Sequence, residues 1–370
     1  MCGINGIFFF KNSGLNLEKK IRKMNAIISH RGRDNDSIFL EKNIALGHRR
    51  LSILDLSEAG NQPFFSKDKR YSIVYNGEIY NFLEIKKELK EFDFHTNTDT
   101  ELVLNAFQKW GKESLQKFNG MFAFAIWDNL KKEIFIARDR IGIKPIYYFR
   151  DEEKIIFSSE IRGILSTELV PRKLNKKILN DYLIYQTIHA PETFVKNIFV
   201  LKASHFIFAS DKKFLIQNYW NILKNYNRKI NASYEDTKNK VRLNLTKSVE
   251  RRMISDVDFG AFLSGGIDSS IIVALMSSIS NKKINTFNVS FDEKKFSESH
   301  YAKIIGKKFN TNHTEIKLKE KDFLELLPSA LESMDFPTGD GLNTYVVSKF
   351  TKAKGISVAL SGLVCWLSDF

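Results

Sequence analysis

Apolar residues frame this chain before any chemistry is considered. Residues 4–10, Ile-Asn-Gly-Ile-Phe-Phe-Phe, are mostly apolar and bulky, which predicts a buried strand. Leu15, Leu17, Ile21, Met24, Ile27 and Ile28 recur at three- and four-residue intervals, which predicts a helix. It ends in the polar turn Ser29-His30-Arg31-Gly32-Arg33-Asp34. Residues 44–48 predict a short strand, and residues 71–75 alternate like a half-buried strand that stops at Asn76-Gly77. Asn-Gly is ordinarily a turn signal. Leu102, Leu104, Ala106, Phe107 and Trp110 continue as a helix, and 121–127, 134–137, 147–149 and 155–157 as consecutive strands.

The pattern loosens from about residue 165, and 224–233 is polar and weakly patterned. A domain boundary is therefore expected within 218–231, giving one domain over 2–217 and a second over 232–370. Beyond it, 234–252 reads as an amphipathic helix and 258–263 as an apolar strand. Ser264-Gly265-Gly266-Ile267-Asp268-Ser269-Ser270 follows and opens a helix over 271–276. Strands at 284–291, 314–318 and 356–360 alternate with helices, the first capped by Phe296-Ser297-Glu298-Ser299-His300 and running to 308, the second over 322–334, the third led in by 335–345. That alternation predicts a parallel sheet, with ligands at the carboxyl ends of its strands.

Composition narrows the field. The 370 residues are 43% hydrophobic and 27% charged, ordinary for a globular protein of two or three domains. No apolar run approaches the ~18 residues a bilayer span needs, and the apolar start has no basic segment before it, so neither a membrane anchor nor a signal peptide is expected. The net charge is +14, but lysine is spread along the whole chain and no helix-turn-helix, zinc-finger or RNA-binding signature occurs, so nucleic acid is not an expected partner. Two cysteines, Cys2 and Cys365, give no disulfide framework, and a reactive thiol at position 2 would need a reducing compartment, so the cytoplasm is expected.

Two stretches carry candidate chemistry. Removal of Met1 would leave Cys2 with a thiol nucleophile and a free α-amine of reference pKa roughly 7.7–8.0 side by side, beside the unobstructive Gly3. By itself a second-position cysteine is more often a small buried apolar residue. In the second half, a strand, a glycine turn and a helix N-terminus make a phosphate cradle, with backbone N–H groups and the hydroxyls of Ser264, Ser269 and Ser270 as donors. The Gly-Lys-Ser/Thr ending of a Walker loop and the dinucleotide glycine pattern are both absent.

Further motifs raise the first of these. Gly47-His48-Arg49-Arg50-Leu51-Ser52-Ile53, Asn76-Gly77-Glu78-Ile79-Tyr80-Asn81, Thr98-Asp99-Thr100-Glu101, Gly120-Met121-Phe122-Ala123-Phe124-Ala125 and Arg138-Asp139-Arg140-Ile141-Gly142-Ile143-Lys144-Pro145 follow Cys2 in order. With them the first half resembles the class II glutamine amidotransferases, N-terminal-nucleophile enzymes that release ammonia from glutamine. The resemblance implies an α+β four-layer αββα sandwich. It implies Cys2 as nucleophile with its own amine as base, and an oxyanion hole from the Asn76 side chain and the Gly77 N–H. Arg50 would hold the glutamine α-carboxylate, a task suited to its planar fork, with Leu51, Ser52, Ile53 and Leu54 beside it. Arg49 would be a solvated neighbour. Glu78 and Asp99 would bind the α-amine. The family usually has proline where this chain has Arg33, which costs the loop some stiffness.

The loop 264–270 matches the SGG-x-DSS loop of ATP pyrophosphatases, and both halves in this order resemble the glutamine-hydrolysing asparagine synthetases. That family joins an amidotransferase to an α/β parallel-sheet domain that activates L-aspartate with ATP and magnesium. The resemblance places Leu263 and Val289 by the adenine, Ser264, Gly265, Gly266, Asp268, Ser269 and Ser270 at the diphosphate, Ser361 and Gly362 beside them, and Asp268 next to Mg2+. L-glutamine, L-aspartate and ATP are the expected small-molecule partners; a homodimer is compatible with the family, and the sequence itself is silent on oligomeric state. After Ser361-Gly362 the family continues with an acidic Gly-rich loop and a long helical remainder, where this chain reads Leu363 to Phe370 and stops. A C-terminally truncated synthetase domain that makes little or no asparagine is the expectation, with glutamine hydrolysis retained. Amidation of another carboxylate, and a non-catalytic fragment, stay open as alternatives.

Overall fold

The structure is a computed structural model and describes residues 1–225, 231–293, 297–336, 338 and 341–362. Parts of the polar boundary stretch, Phe296 of the expected cap, Pro337, Gly339 and Asp340 of the helix lead-in, and 363–370 with Cys365 lie outside the described residues. The chain divides into two compact units, 1–228 and 229–370.

The first unit runs β1 (Gly3–Phe9), α1 (Leu17–Ile27), β2 (Asn35–Leu40), β3 (Ile44–Arg50), β4 (Phe64–Phe65), β5 (Tyr71–Ile79), α2 (Phe82–Lys86), α3 (Asp99–Trp110), α4 (Ser114–Lys117), β6 (Gly120–Asp128), β7 (Glu133–Arg138), β8 (Tyr147–Arg150), β9 (Lys154–Ser158), α5 (Ile161–Leu165), α6 (Leu179–Tyr185), β10 (Ile198–Val200), β11 (His205–Ala209) and β12 (Phe214–Asn218). The strands form two six-stranded sheets, ordered β10-β8-β9-β1-β3-β2 and β12-β11-β7-β6-β5-β4.

Three apolar clusters explain the layering. Ile4, Phe8, Val74, Ala125, Trp127 and Phe157 are buried together between the sheets. Ile21, Met24, Ile7, Ile156 and Ile164 join α1 and α5 to the outer face of the first sheet. Leu102, Leu104, Ala106, Phe122 and Phe124 join α3 to the outer face of the second. Strand alternation sends successive side chains to opposite faces, so each sheet feeds two cores. The result is the expected αββα sandwich. Asn16 starts α1 by accepting from Lys19 N at 2.9 Å, and Thr98 starts α3 by accepting from Glu101 N at 3.4 Å.

The expected strand end at Asn76-Gly77 is wrong: β5 continues to Ile79, with Asn76 paired to Ala123 and Gly77 to Phe122. The turn signal gives way because β6 offers a full-length partner and Gly77 keeps an extended conformation. Arg49 is not a solvated neighbour either. It donates to Gly32 O at 2.9 Å and pairs with Asp36 at 2.7 Å.

The second unit runs α7 (Tyr234–Arg252), β13 (Phe259–Phe262), α8 (Ile267–Ile279), β14 (Asn285–Phe291), α9 (Ser299–Lys308), β15 (Asn312–Leu318), α10 (Glu320–Ser333), α11 (Gly341–Ala353) and β16 (Val358–Leu360). Its sheet is parallel, ordered β15-β14-β13-β16. Ala261, Leu263, Val273, Met276 and Ala302 pack α8 and α9 on one face, and Phe287, Ile316 and Ile356 cluster with Phe350 of α11. The expected amphipathic pattern of α7 fails: only Val249 is buried, while Tyr234, Val241, Leu243 and Leu245 stand exposed. No helix among the described residues is long and apolar enough to cross a membrane.

Candidate functional site

Cys2 precedes β1, which lies between β3 and β9, so the start of the chain is fixed from both sides. Gly3 pairs with Arg49, and Asn5 with Ser158. The Leu51 N–H donates to Cys2 Sγ at 3.4 Å, and the thiol donates to Leu51 O at 3.6 Å. The Cys2 carbonyl oxygen accepts from Arg31 Nε at 3.0 Å. One element brings the thiol against residue 51 and another grips the carbonyl behind it.

In β5 the ladder decides which groups are left over. Phe122, opposite Gly77, spends its backbone on Asp139: its N–H donates to Asp139 Oδ2 at 3.1 Å and its oxygen accepts from Asp139 N at 2.8 Å. In an antiparallel pair such groups point away from the partner strand, and so do those of the residue opposite. Tyr75 and Ile79, two residues either side, follow this parity: their N–H groups leave β6 and donate to Gln62 Oε1 at 2.6 Å and Asp99 Oδ2 at 2.8 Å. The Gly77 N–H faces the same way and belongs to no ladder. A side chain at 77 would sit 2.5 Å from Met121 O, which restricts the position to glycine. Beside it Asn76 is 1% exposed and its Nδ2 has no hydrogen-bond partner. Buried donors are nearly always satisfied, so the unpartnered Asn76 amide, with the Gly77 N–H turned out of the ladder beside it, marks a place for an acceptor.

The charged residues around them are buried too. Arg50 ends β3 and its guanidinium clamps the following loop: Nη1 donates to Ser57 O at 2.6 Å and Asn61 Oδ1 at 2.9 Å, and Nη2 to Asp55 O and to Leu54 O at 3.5 Å. Burial lowers its pKa, opposed by Cys2, Asp55 and Asp34, so the Cys2 sulfur lies within its field. Leu51, Ser52, Ile53 and Leu54 span the short path from the thiol contact to this clamp. Asp99 opens α3 and takes the Tyr75 hydroxyl at 2.6 Å and the Ile79 N–H at 2.8 Å on one oxygen. Burial raises its pKa to about 6 against those two bonds, and the neighbouring Glu78 adds to the rise. Two carboxylates that feel each other's charge favour a cation nearby.

In the second unit, Leu263 follows β13 and donates to Phe287 O at 2.8 Å. Gly265 takes φ +91°, and a Cβ there would lie 2.5 Å from the Tyr301 side chain. Ser264 Oγ accepts from Gly266 N at 3.2 Å and meets Ser269 Oγ at 3.0 Å, while Ser270 Oγ donates to Gly266 O at 2.7 Å. The hydroxyls thus shape the turn, and the N-cap residue Gly266 places no side chain over the start of α8. The Gly362 backbone packs against that start, since a Cβ there would lie 2.6 Å from Ser269 N. A cavity of about 960 Å³ opens here, lined among others by Leu263, Ser264, Asp268, Val289, Ser361 and Gly362. Of the residues expected at this site, only Gly265 and Ser270 do not line it.

A glutamine amidotransferase domain family matches residues 1–220 and an asparagine synthase family matches 240–363. A protein of Methanocaldococcus jannaschii, named provisionally as glutamine-hydrolyzing asparagine synthetase 2, is 40% identical over 98% of this chain and 74% of its own length. The chain belongs to the glutamine-hydrolysing asparagine synthetases. Asparagine synthetase 1 of Bacillus subtilis is 33% identical over 98% of this chain and 57% of its own, and asparagine synthetase B of Escherichia coli 29% identical over 98% and 63%. The chain thus spans between 57% and 74% of the length of these three relatives.

In this member of the asparagine synthetases three further residues stand near the candidate site around Cys2. Lys144 is buried; burial lowers its pKa, while Glu78, Cys2 and Asp139 oppose the shift and Arg31 adds to it. The charges of Glu78 and Cys2 thus both act on its ammonium. His48 is fully buried and neutral, its pKa lowered to about 3 chiefly by burial, and its Nε2 lies 3.1 Å from Tyr75 O, linking the Arg50 strand to the Asn76 strand. Arg31 holds Cys2 O. His48 and Lys144 lie inside the ordered motifs and Arg31 in the polar turn after α1, but spacing alone does not tell a buried cation from a surface one.

Proposed function

We propose that this chain releases ammonia from L-glutamine at Cys2 and uses it to convert ATP-activated L-aspartate to L-asparagine. Met1 is 55% exposed, which supports its removal to free the Cys2 amine. The thiol then passes its proton to that amine as sulfur attacks the glutamine amide carbon. The developing oxyanion accepts from Asn76 Nδ2 and the Gly77 N–H. Ammonia leaves with the proton held by the amine, and water cleaves the thioester to glutamate. Arg50 takes the substrate carboxylate; Glu78 and Asp99 take its ammonium.

In the second unit the 264–270 turn and the start of α8 take the β,γ-diphosphate, with Leu263 and Val289 against the adenine and Ser361 and Gly362 closing the site. The aspartate β-carboxylate displaces diphosphate to give an acyl adenylate, from which ammonia displaces AMP. Magnesium fits in one mode. No cluster of three or more candidate ligands occurs among the described residues, so Asp268 would supply one carboxylate and the phosphates the rest, as Mg2+ commonly binds. When bound it neutralises charge on the leaving diphosphate. A working thiol at position 2 requires a reducing compartment such as the cytoplasm.

The observation that carries this reading is the unpartnered amide of buried Asn76, beside the Gly77 N–H that leaves the ladder, in the unit whose first residues present a half-buried thiol. The test is glutamine hydrolysis by the wild type and by Cys2→Ala, with the N-terminal peptide weighed. Ammonia is expected from the wild type, which starts at Cys2, and none above background from the variant. Equal rates would overturn the reading. Diphosphate exchange into ATP, promoted by aspartate and not by other carboxylates, is expected of the second unit.

A further inference from the structure

A buried carboxylate that the scheme above leaves unused stands behind the nucleophile. Glu160 follows β9 and is the residue before α5. Its side chain is 7% exposed, with His30 Nε2 at 2.8 Å and Arg31 Nη1 at 3.0 Å on Oε1, and Arg162 Nε 3.0 Å from Oε2. Among the described residues Oε2 accepts no hydrogen bond, so Arg162 adds its charge there. Burial by itself would raise the carboxyl pKa; the bond from His30 and the charges of Arg31 and His30 outweigh it, and the net shift is downward.

Arg31 connects this anion to the reacting residue. The guanidinium that gives Nη1 to Glu160 gives Nε to the Cys2 carbonyl oxygen at 3.0 Å. The backbone keeps the same alignment. Ser159 N donates to Ile4 O at 2.9 Å, Ile4 N to Ser159 Oγ at 3.0 Å, Ser158 Oγ to Asn5 Oδ1 at 2.7 Å, and Glu160 N to Ser158 Oγ at 3.2 Å. Glu160 is thus keyed to the strand that starts immediately after the nucleophile.

We propose that Glu160 is a positioning residue for glutamine hydrolysis. By anchoring Arg31 it fixes the plane of the Cys2–Gly3 peptide, and with it the directions in which the amine and the thiol leave the Cys2 α-carbon. The inference rests on the glutaminase reading above. Its physical basis is that a guanidinium without its counter-charge seeks another partner when buried, and Arg31 Nη2 already lacks one. Once Arg31 moves, nothing else among the hydrogen bonds described here holds the Cys2 carbonyl.

The test compares the full-length wild type with Glu160→Gln, Glu160→Asp, Arg31→Met and the Arg31→Met/Glu160→Gln double variant. A nucleophile misplaced by ~1 Å loses ~10²-fold in rate, so Glu160→Gln is expected to lower kcat for glutamine by that order. KM should stay within about twofold, because the substrate anchors are untouched. Glu160→Asp should recover part of the loss, and the double variant should be no slower than Arg31→Met, as residues acting through one another require. Alkylation of Cys2 by iodoacetamide, read by mass spectrometry, should slow in Glu160→Gln and tests the positioning without glutamine chemistry. A kcat within about threefold of wild type, or additive losses in the double variant, would overturn the proposal. Should Glu160→Gln fail to fold, the decision falls to Glu160→Asp: a lower kcat at unchanged KM supports the proposal, and an unchanged kcat ends it. A wild type that does not hydrolyse glutamine would sink the glutaminase reading instead, leaving the alkylation rates to judge Glu160.

Discussion

In residues 1–228 the candidate ligand groups are side chains on separate elements: Cys2 before β1, Arg50 at the end of β3, Asn76 within β5 and Asp99 at the start of α3. In residues 229–370 the short turn between β13 and α8 and the first residues of α8 bring Leu263, Ser264, Gly266, Asp268 and Ser269 to one cavity, which Val289, Ser361 and Gly362 complete. The first arrangement needs two sheets packed face to face before any group is in place, and Arg50, Asn76 and Asp99 are buried while Cys2 is half-buried. The second needs one turn and the first turn of one helix, and its donors are largely backbone. Side-chain replacement should therefore damage the first site and backbone geometry the second.

The largest expected effect tests the side-chain half of that contrast. Asn76→Ala should lower kcat for glutamine by roughly 10²–10³, the usual loss of one oxyanion donor, with little change in KM. Aspartate-dependent diphosphate exchange should be unaffected. A fall of less than about tenfold would remove Asn76 from the role. The backbone half is tested by Gly265→Ala. A non-glycine residue at φ +91° carries about 1–3 kcal/mol of strain, and its Cβ would meet Tyr301 at 2.5 Å. ATP affinity, measured by calorimetry, should weaken by about tenfold or more, with glutamine hydrolysis unchanged. Unchanged affinity would mean that the turn does not hold phosphate.

The mildest effect concerns charge. Burial pushes the Asp99 pKa up to about 6, so in the proposed role its carboxylate becomes neutral below that pH and stops attracting the substrate ammonium. KM for glutamine should rise by about tenfold for each pH unit below 6, because the ionised fraction falls by that factor. Asp99→Asn should have a raised KM without this slope. A wild-type KM constant from pH 7 to 5 would detach Asp99 from the ammonium.

The strands of both units were legible where apolar runs are long: β1, β6, β7, β13 and β14 stand where residue pattern places them. Weak patterns hid others. β2, Asn-Asp-Ser-Ile-Phe-Leu, opens on three polar residues, and only its backbone pairing with β3 makes it a strand. The strands at 198–218 are short and interrupted by turn residues, so periodicity has little to act on. At the candidate site, Cys2, Arg50 and Asn76 are singled out by ordered motifs. Glu160 and Lys144 were not legible, because what distinguishes them is burial and the partners that tertiary packing brings from up to 130 positions away. Charge type in a sequence says nothing of either.

The unexpected course of β5 has a chemical corollary. In flexible segments an asparagine followed by glycine is prone to self-modification: the glycine nitrogen attacks the side-chain carbonyl, a succinimide closes, and aspartate or isoaspartate results. Asn76 sits 1% exposed in a paired strand whose extended backbone keeps that nitrogen and that carbonyl out of line. In the proposed oxyanion role, deamidation there would put an anion where negative charge develops. The sheet that aims this amide also protects it from ageing, so its working lifetime is tied to how seldom β5 opens.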